Sequence, residues 1–489
     1  SLTQTDCSSC GKCIEVCPVG ALLPKNQTVK ISPHHTETYT QNCGLCGTGC
    51  KIDVETLGNK IVQIKPAAER GFNGRNLCFN GKFGWQVFEQ DRLTTAYKRH
   101  NTHLIEMENM DDAIDKIIEE NETAKSKKIY ISPVCTNEEL LIMKQVAQNI
   151  GADISSLSYL DSFEDKLAKT TLNNTTYQDL KEADTIVVIG KISEVLQTLI
   201  RTEQRQGKRL VVLSRHQNSF SDFADVKLDE DPLTETLEKI IEYYCEPDEC
   251  SCDEDDCDCE QPEELEVDLP ERTVFVYSRD EVSEETSWNV WVLASIVANF
   301  KAGSGVLSTS NLNNFRGFQR MGLGIGKPQY ADFVLLYGEL PCEEQKKIVK
   351  NSRFIVTFNS HLDEADPGHI ILPKPSYLEM QGTAIANDGR ISEYKNPKQT
   401  PMLQNMLNRL VEMEMLELEQ ASVEYWKGKV AEVLAQPIKR REMTTDELYD
   451  YLCSIEKIQF DAPKQHSVQK HLILQLKRSA QQKKPGTKS

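Results

Sequence analysis

The sequence predicts an α/β protein in which two cysteine-rich segments precede a doubly wound parallel sheet and a mainly helical C-terminal region. Three observations predict this arrangement. Eight of the 16 cysteines fall between residues 7 and 78. Short apolar runs alternate with amphipathic stretches from about 110 to 400, as in strand-helix-strand units. A long amphipathic stretch then covers roughly 402–436.

The second cysteine group has the spacing C-x2-C-x3-C-x27-C. It suits a 4Fe-4S cluster because each iron of the cube takes one soft thiolate. Gly44, Gly47 and Gly49 allow the backbone to curl around such a cluster and to direct amide N–H groups toward its sulfides. A structural zinc site is the alternative for two clusters of cysteines. The predicted ligands are Cys43, Cys46, Cys50 and Cys78.

The first cysteine group has the bacterial ferredoxin spacing C-x2-C-x2-C-x3-C-P. In a two-cluster ferredoxin, three of these thiolates hold one cluster and the fourth reaches a neighbouring one. This chain has one such run, so three arrangements stay open. In the first, a preceding half of the ferredoxin, removed from this chain, would supply the missing ligands. In the second, a partner subunit would supply them. In the third, all four thiolates would bind one cluster. The predicted ligands are Cys7, Cys10, Cys13 and Cys17.

Composition limits the classes of function. A chain of 489 residues is long enough for several domains, and its net charge of -19 disfavours binding to nucleic acid or to an anionic membrane surface. The sequence has no apolar run of about eighteen residues and no signal peptide, which predicts a cytoplasmic protein without a membrane span. Tight cysteine runs suit metals rather than disulfides and indicate a reducing, oxygen-poor compartment.

The α/β region begins with a predicted helix around 110–120. Buried strands and amphipathic helices then alternate at the spacing of parallel β-α-β units. Glycines in the stretch 303–326, which is predicted to be a long loop, match a dinucleotide fingerprint only weakly. The predicted strands are 127–132, 183–190, 208–214, 273–278, 331–338, 353–360 and a strand within 369–390 that ends in a polar loop, and the main helices are 136–151 and 192–206.

Two segments have unusual charge. The stretch 229–271 is acidic and predicts a solvated insertion, although its five cysteines make a metal site the alternative. From Lys464 onward the chain is basic, which predicts a frayed tail or a surface that docks on an acidic partner. The cysteines of the insertion are Cys245, Cys250, Cys252, Cys257 and Cys259.

Several motifs together resemble the molybdopterin oxidoreductase superfamily, in the branch of the formate dehydrogenase catalytic subunit and the large iron-sulfur subunit of NADH dehydrogenase. The second cysteine group resembles the N-terminal cluster domain of that family. TNEELLIMKQVA, SNLNNFRGFQRMG and ILPKPSYLEMQGTAIANDGR resemble its later motifs. The resemblance covers about 40–400 and implies molybdopterin-oxidoreductase-like parallel-sheet domains.

The predicted domains combine the residue patterns with this resemblance. They are a ferredoxin-like segment at 1–40, a 4Fe-4S domain at 41–100, an α/β domain at 101–228, the acidic insertion at 229–271, the α/β domain continued at 272–400, and a helical region with a basic tail at 401–489.

Departures from the family pattern concern the pterin site. Active formate dehydrogenases bind molybdenum or tungsten through a cysteine or selenocysteine followed by histidine, whereas the corresponding stretch here, GADISSLSYLDSF, has neither residue. Cys135 lies too early and is interpreted as a structural thiol. The family lysine two residues after the fourth cysteine is replaced by Asn80, and Lys82 comes two residues later. The family's C-terminal closing domain is replaced by helices and a basic tail.

These observations predict an iron-sulfur electron-transfer subunit with two 4Fe-4S clusters and no molybdenum- or tungsten-pterin. The expected complex is linked to NADH, ferredoxin or formate, and electron bifurcation is one activity that such a complex would allow. The expected partners are a flavin-containing NADH or ferredoxin oxidoreductase subunit and further iron-sulfur subunits. The alternatives are a catalytic bis-pterin formate dehydrogenase-like subunit and an assembly scaffold with purely structural clusters.

Overall fold

The computed structural model describes residues 10–19, 21–24, 33–69, 71–89, 92–101, 103–157, 175–214, 220–228, 233–245, 269, 272–300, 303–338 and 349–436. The described residues form two compact units. The first unit combines those of 1–162 with those of 310–438, and the second combines those of 163–309. The predicted domain boundaries stay predictions, and Cys7, the cysteines after Cys245 in the acidic insertion and the basic tail lie outside the described residues.

The first unit opens with the short helix α1 and a three-stranded antiparallel sheet that the sequence pattern did not reveal. Its strands follow each other in the order β1-β2-β3, and two short helices come after them. Strand β2 alternates buried and half-buried residues, with Ile52 and Val54 facing the core. The bounds are α1 Lys12–Val16, β1 Glu37–Asn42, β2 Lys51–Leu57, β3 Lys60–Pro66, α2 Phe79–Phe83 and α3 Trp85–Phe88.

A seven-stranded sheet forms the centre of the first unit, in the order β5-β4-β15-β14-β13-β6-β7. Five of its strands pair in parallel, while β4 and β5 form an antiparallel hairpin at one edge. The strands β13, β14 and β15 are buried along their whole length, as is usual for parallel strands that are covered on both faces. The bounds are β4 Tyr97–His100, β5 His103–Glu106, α4 Met110–Thr123, β6 Lys127–Ile131, α5 Asn137–Ile150 and β7 Asp153–Ser155, and later in the chain β13 Phe333–Tyr337, β14 Phe354–Asn359 and β15 Ile370–Pro373.

Both ends of helix α5 carry capping residues, which is why the sequence predicted its limits well. Thr136 and Glu139 form a reciprocal capping box at the N-terminus. Gly151 ends the helix with a φ of 68°, a conformation that glycine adopts without steric cost. Between these caps the apolar face packs into a core that includes Met143 and Phe333.

The second unit is built on a five-stranded parallel sheet in the order β10-β9-β8-β11-β12. Strands β8 and β11 are completely buried and lie at its centre. The bounds are α6 Tyr177–Glu182, β8 Thr185–Ile189, α7 Glu194–Arg205, β9 Arg209–Leu213, β10 Val226–Leu228, α8 Leu233–Cys245, β11 Thr273–Ser278, α9 Glu284–Phe300 and β12 Gly305–Thr309.

Three predictions of local structure were wrong. The stretch 303–326 is not a continuous loop, since it contains β12 and the helix α10, Phe315–Arg320. The polar end of the 369–390 motif enters an antiparallel hairpin, β16 Gln381–Ile385 with β17 Ile391–Lys395. The stretch 402–436 is two helices, α11 Met402–Glu412 and α12 Val423–Ala435.

Tertiary context explains these differences. The hairpin strands are only five residues long, and the turn between them is closed at Gly389, which has a φ of 84°. The C-terminal helix breaks because Glu414 adopts a φ of 57°, which turns Met415 and Leu416 into the core. The predicted fold class is confirmed, with N-terminal iron-sulfur segments followed by doubly wound parallel sheets.

Glu138 joins helix α5 to the hairpin. Its buried carboxyl accepts a hydrogen bond from the Thr383 backbone N–H at 2.7 Å and lies 3.2 Å from the Thr383 hydroxyl. Burial raises the pKa of Glu138 to about 7, and the neighbouring Glu139 adds to this increase, while the hydrogen bonds from Thr383 oppose it. The native state therefore holds a proton on Glu138 more tightly than the unfolded chain does.

We expect this carboxyl to make stability depend on pH. Because the pKa of Glu138 is about 7 in the folded chain and about 4.3 when unfolded, the free energy of unfolding falls as pH rises between these values, by up to about 3.5 kcal/mol. Glu138→Gln keeps the hydrogen bonds to Thr383 and should remove this loss. Urea unfolding of both proteins at several pH values tests it, with the exposed Glu119→Gln as control. Parallel curves for the native chain and the Glu138 variant would contradict it.

Candidate functional site

The connection between β1 and β2 carries three of the predicted cluster ligands. Cys43 directly follows β1, and Cys50 directly precedes β2. The Cys43 backbone N–H donates to the Cys50 carbonyl at 2.7 Å, which closes the loop at its base. The antiparallel pairing of these two strands therefore holds both ends of the cysteine loop together.

Cys78 reaches the same region from the loop that follows β3. Its sulfur accepts a hydrogen bond from the Gly81 backbone N–H at 3.3 Å and so caps helix α2. A methyl group added at Gly81 would lie 3.6 Å from the Cys78 sulfur and 3.9 Å from the Cys43 sulfur. Gly81 therefore faces two of the predicted ligands and leaves the space between them open.

The four sulfurs of the second cysteine group interact electrostatically with each other. Burial raises the pKa of the Cys43 and Cys50 thiols well above its usual value, and the nearby Cys46 and Cys78 raise it further. Without metal, Cys43 and Cys50 are therefore neutral thiols at pH 7. Iron binding must displace their protons, which couples metal affinity to pH.

A 4Fe-4S cluster and a structural zinc ion both take four soft thiolates. The choice of a cluster for these cysteines rests on their spacing in the sequence and on the glycines of the loop. Their assignment as ligands stays a prediction.

A distant segment holds the tip of the cysteine loop. The Gly47 backbone N–H donates to the Ser310 carbonyl at 3.1 Å, and the Asn387 N–H donates to the Gly47 carbonyl at 2.7 Å. The Asn387 side-chain amide also donates to the Ser310 carbonyl at 3.3 Å. A methyl group at Gly47 would lie 2.2 Å from the Asn387 amide oxygen, so a larger residue there would displace the Asn387 side chain. The asparagine of the family-like GTAIANDGR motif thus fixes the cysteine loop.

Arg390 adds a positive charge beside this loop. Its guanidinium donates to the Thr48 carbonyl at 3.4 Å and lies 4.1 Å from the centre of the Phe72 ring. Its ion pair with Asp388 measures 2.5 Å. The charge of Arg390 opposes the increase in the pKa of Cys50, because a cation favours the thiolate.

The described part of the ferredoxin-like segment contacts the second cysteine group directly. Gly11 has a φ of 71°, and a methyl group there would lie 2.8 Å from the Phe83 ring and 2.9 Å from the Lys82 side chain. The Lys12 ammonium donates to the Asn76 side chain at 3.0 Å and also contacts the Arg75 carbonyl. The two cysteine motifs therefore pack against each other.

Within this segment, Cys10 and Cys17 are half-buried and Cys13 is exposed. The Cys17 sulfur accepts a hydrogen bond from the Ala21 N–H at 3.3 Å. Because Cys7 lies outside the described residues, the three arrangements of this cluster stay open.

The crevice between β6 and β13 is where the order of the parallel strands reverses. Ligands of doubly wound folds bind at such a switch point, beyond the carboxyl ends of the strands. Here three of the chain's own side chains meet. The Tyr337 hydroxyl donates to Glu139 at 2.7 Å, and the Lys374 ammonium lies 3.7 Å from the same carboxylate. A methyl group at Gly338 would lie 3.3 Å from Lys374 and 3.5 Å from the Cys135 sulfur.

Sequence reasoning missed this buried network. Lys374 and Glu139 are both almost completely buried, and the pair Arg92–Glu379 is buried beside the loop that follows Lys374. The available signal was the presence of charged residues, Lys374 and Glu379, within the otherwise apolar stretch ILPKPSYLE. Their partners are far apart in the chain, so spacing did not identify the pairs.

Family profiles match the two cysteine segments. The profile described as molybdopterin oxidoreductase Fe4S4 domain matches residues 36–90, and the 4Fe-4S binding domain matches residues 3–23. The predicted resemblance is confirmed: the chain carries iron-sulfur domains, one of them of the molybdopterin oxidoreductase type.

Three curated relatives extend this similarity. NADH-quinone oxidoreductase subunit 3 of Thermus thermophilus is 24% identical over 78% of this chain and 51% of its own length. An NADH-quinone oxidoreductase subunit of Rhizobium meliloti is 28% identical over 42% of this chain and 26% of its own length. The formate dehydrogenase-like protein YrhE of Bacillus subtilis is 26% identical over 38% and 21%. The chain thus spans about half of the length of these relatives or less.

One further finding concerns membranes. Among the helices that the structure describes, none is both long enough and apolar enough to cross a bilayer.

Two buried cysteines of the first unit allow a matched test of the ligand assignment. Cys43→Ser should lose the iron of one cluster, about four atoms per chain, because a serine hydroxyl is a poor soft ligand. Cys135→Ala should keep the iron content of the unmodified protein, since Cys135 packs in the core away from the cysteine loop. Iron analysis and visible absorption after anaerobic purification measure both. Full iron content in the Cys43 variant would contradict the assignment.

Proposed function

We propose that this chain is an iron-sulfur electron-transfer subunit of a multisubunit oxidoreductase and has no pterin active site of its own. The observation that carries the proposal is the direct contact between its two cysteine motifs, from Gly11 and Lys12 to Asn76 and Lys82. Matches of both motifs to iron-sulfur domain families support it.

The bound clusters would supply one-electron oxidation and reduction, at a potential on the order of -400 mV for ferredoxin-like sites. The residues of the chain would hold, shield and orient these groups. Burial of Cys43 and Cys50 keeps water away from one side of the site. The Gly81 N–H stabilises negative charge on the Cys78 sulfur. The hydrogen bonds of Asn387 to the Gly47 loop keep the ligands in place during changes of charge.

Two observations support the absence of a pterin site. The crevice between β6 and β13 holds Lys374, Glu139 and Tyr337 in a network whose charges are paired. A ligand that entered there would have to break this buried ion pair, which costs about 3–5 kcal/mol. In addition, the stretch that aligns with the family's metal ligand contains neither cysteine nor histidine.

The proposed partners are a flavin-containing NADH or ferredoxin oxidoreductase subunit and further iron-sulfur subunits. The names of the NADH-quinone oxidoreductase relatives support a place in such a complex. A catalytic formate dehydrogenase-like subunit is the second candidate function, and the similarity to YrhE favours it. The third candidate, an assembly scaffold, would contain the same clusters but would not pass electrons to a partner.

Metal analysis of the anaerobically purified complex distinguishes these functions. We expect about eight irons per copy of this chain, from two four-iron clusters, after the iron of other subunits is subtracted, and no molybdenum or tungsten. The clusters should be reduced by NADH or reduced ferredoxin through the partner within the turnover time of the complex. About one molybdenum or tungsten per chain would establish the pterin enzyme instead. Clusters that stay oxidised under turnover would establish the scaffold.

A further inference from the structure

Lys82 occupies a buried position at the contact between the two cysteine motifs. Its side chain is only 6% exposed. The ammonium group donates to the Gly11 carbonyl at 3.1 Å and forms an ion pair with Glu15. Lys82 thus lies four residues after Cys78, while its partners belong to the segment that contains Cys10, Cys13 and Cys17.

Docking of the two segments does not require this charge pair. Gly11 already packs against the Phe83 ring, and Lys12 binds Asn76 in the opposite direction. A buried ion pair is also weak evidence for a contribution to stability, because the loss of hydration offsets most of the Coulomb attraction. Stability alone therefore gives no reason to place an ammonium and a carboxylate between two metal-binding motifs.

Electrostatics provides a reason. A fixed charge in a poorly hydrated region acts strongly on nearby groups, since little water screens it. A positive charge favours the reduced, more negative form of a cluster, and a negative charge favours the oxidised form. Lys82 and Glu15 have opposite charges, and each belongs to a different cysteine motif. Their effects on both motifs therefore oppose each other.

We propose that Lys82 and Glu15 form a potential-setting charge pair between the two cysteine motifs, with Lys82 raising and Glu15 lowering the reduction potentials of the clusters that these motifs hold. This inference rests on the proposed function. Lys82 differs in this role from the lysine that the family places toward the pterin, because its contacts are with the ferredoxin-like segment. Asn80 stands at the family position and accepts a backbone hydrogen bond from Gly84.

The test uses the full chain in its complex and compares five proteins with the unmodified one. Lys82→Met removes the positive charge, Glu15→Gln removes the negative charge, and the double variant removes both. Lys82→Arg keeps the positive charge. Lys60→Met removes an exposed lysine on β3 and serves as the control. Iron content is measured first, and EPR-monitored redox titration then gives the potential of each cluster.

The pair predicts shifts of opposite sign. We expect lower potentials in Lys82→Met, higher potentials in Glu15→Gln, and values near those of the unmodified protein in the double variant, Lys82→Arg and the control. A merely structural contact would shift both single variants in the same direction or leave both unchanged, and either result would overturn the inference. If Lys82→Met fails to bind iron, the other two variants still test the charge pair. Higher potentials in Glu15→Gln with unchanged potentials in Lys82→Arg would support it, and unchanged or lower potentials in Glu15→Gln would overturn it.

The two proposals fail in different ways. An unmodified complex whose clusters cannot be reduced would overturn the proposed function, and the charge-pair inference with it. Normal reduction of the unmodified complex together with unshifted potentials in Glu15→Gln and Lys82→Met would overturn the charge pair alone. A retained magnetic interaction between the two reduced clusters in all variants would show that the shifts come from charge rather than from separation of the motifs.

Discussion

The hydrogen bonds that hold Gly47 to Asn387 and Ser310 are the constraint on which the predicted cluster site depends. The cysteine loop lies between two short strands and has little structure of its own. Its tip is fixed by residues that come more than two hundred positions later in the chain. The site therefore forms only when the first unit has folded as a whole. This dependence explains why Gly47 must lack a side chain, since any Cβ would displace Asn387.

The same unit combines two kinds of buried polar structure. Around the cysteine loop, Cys43 and Cys50 are buried, and the Gly81 N–H donates to the Cys78 sulfur. At the carboxyl ends of β6 and β13, Glu139, Lys374 and Tyr337 satisfy each other's charges and hydrogen bonds. A doubly wound fold normally binds ligands at such an edge. In this chain a buried ion pair and a hydrogen bond lie there.

The contact between the cysteine motifs is the feature on which the proposed electron-transfer function rests. Gly11 allows the ferredoxin-like segment to approach α2 closely, and Lys82 reaches across the contact from the second motif. The buried charges at this contact belong to Lys82 and Glu15.

The iron-sulfur class follows from the sequence alone, because thiolate ligands of a cluster occur at characteristic local spacings. The sequence also predicts most of the parallel strands and the limits of α5, since buried runs and helix caps are local patterns, but it misses the short parallel strands β7, β10 and β12. The pairing of Glu139 with Lys374 and the partners of Lys82 depend on the tertiary structure, because these contacts join residues that are far apart in the chain. Their energies depend on burial and distance, which no spacing in the sequence encodes.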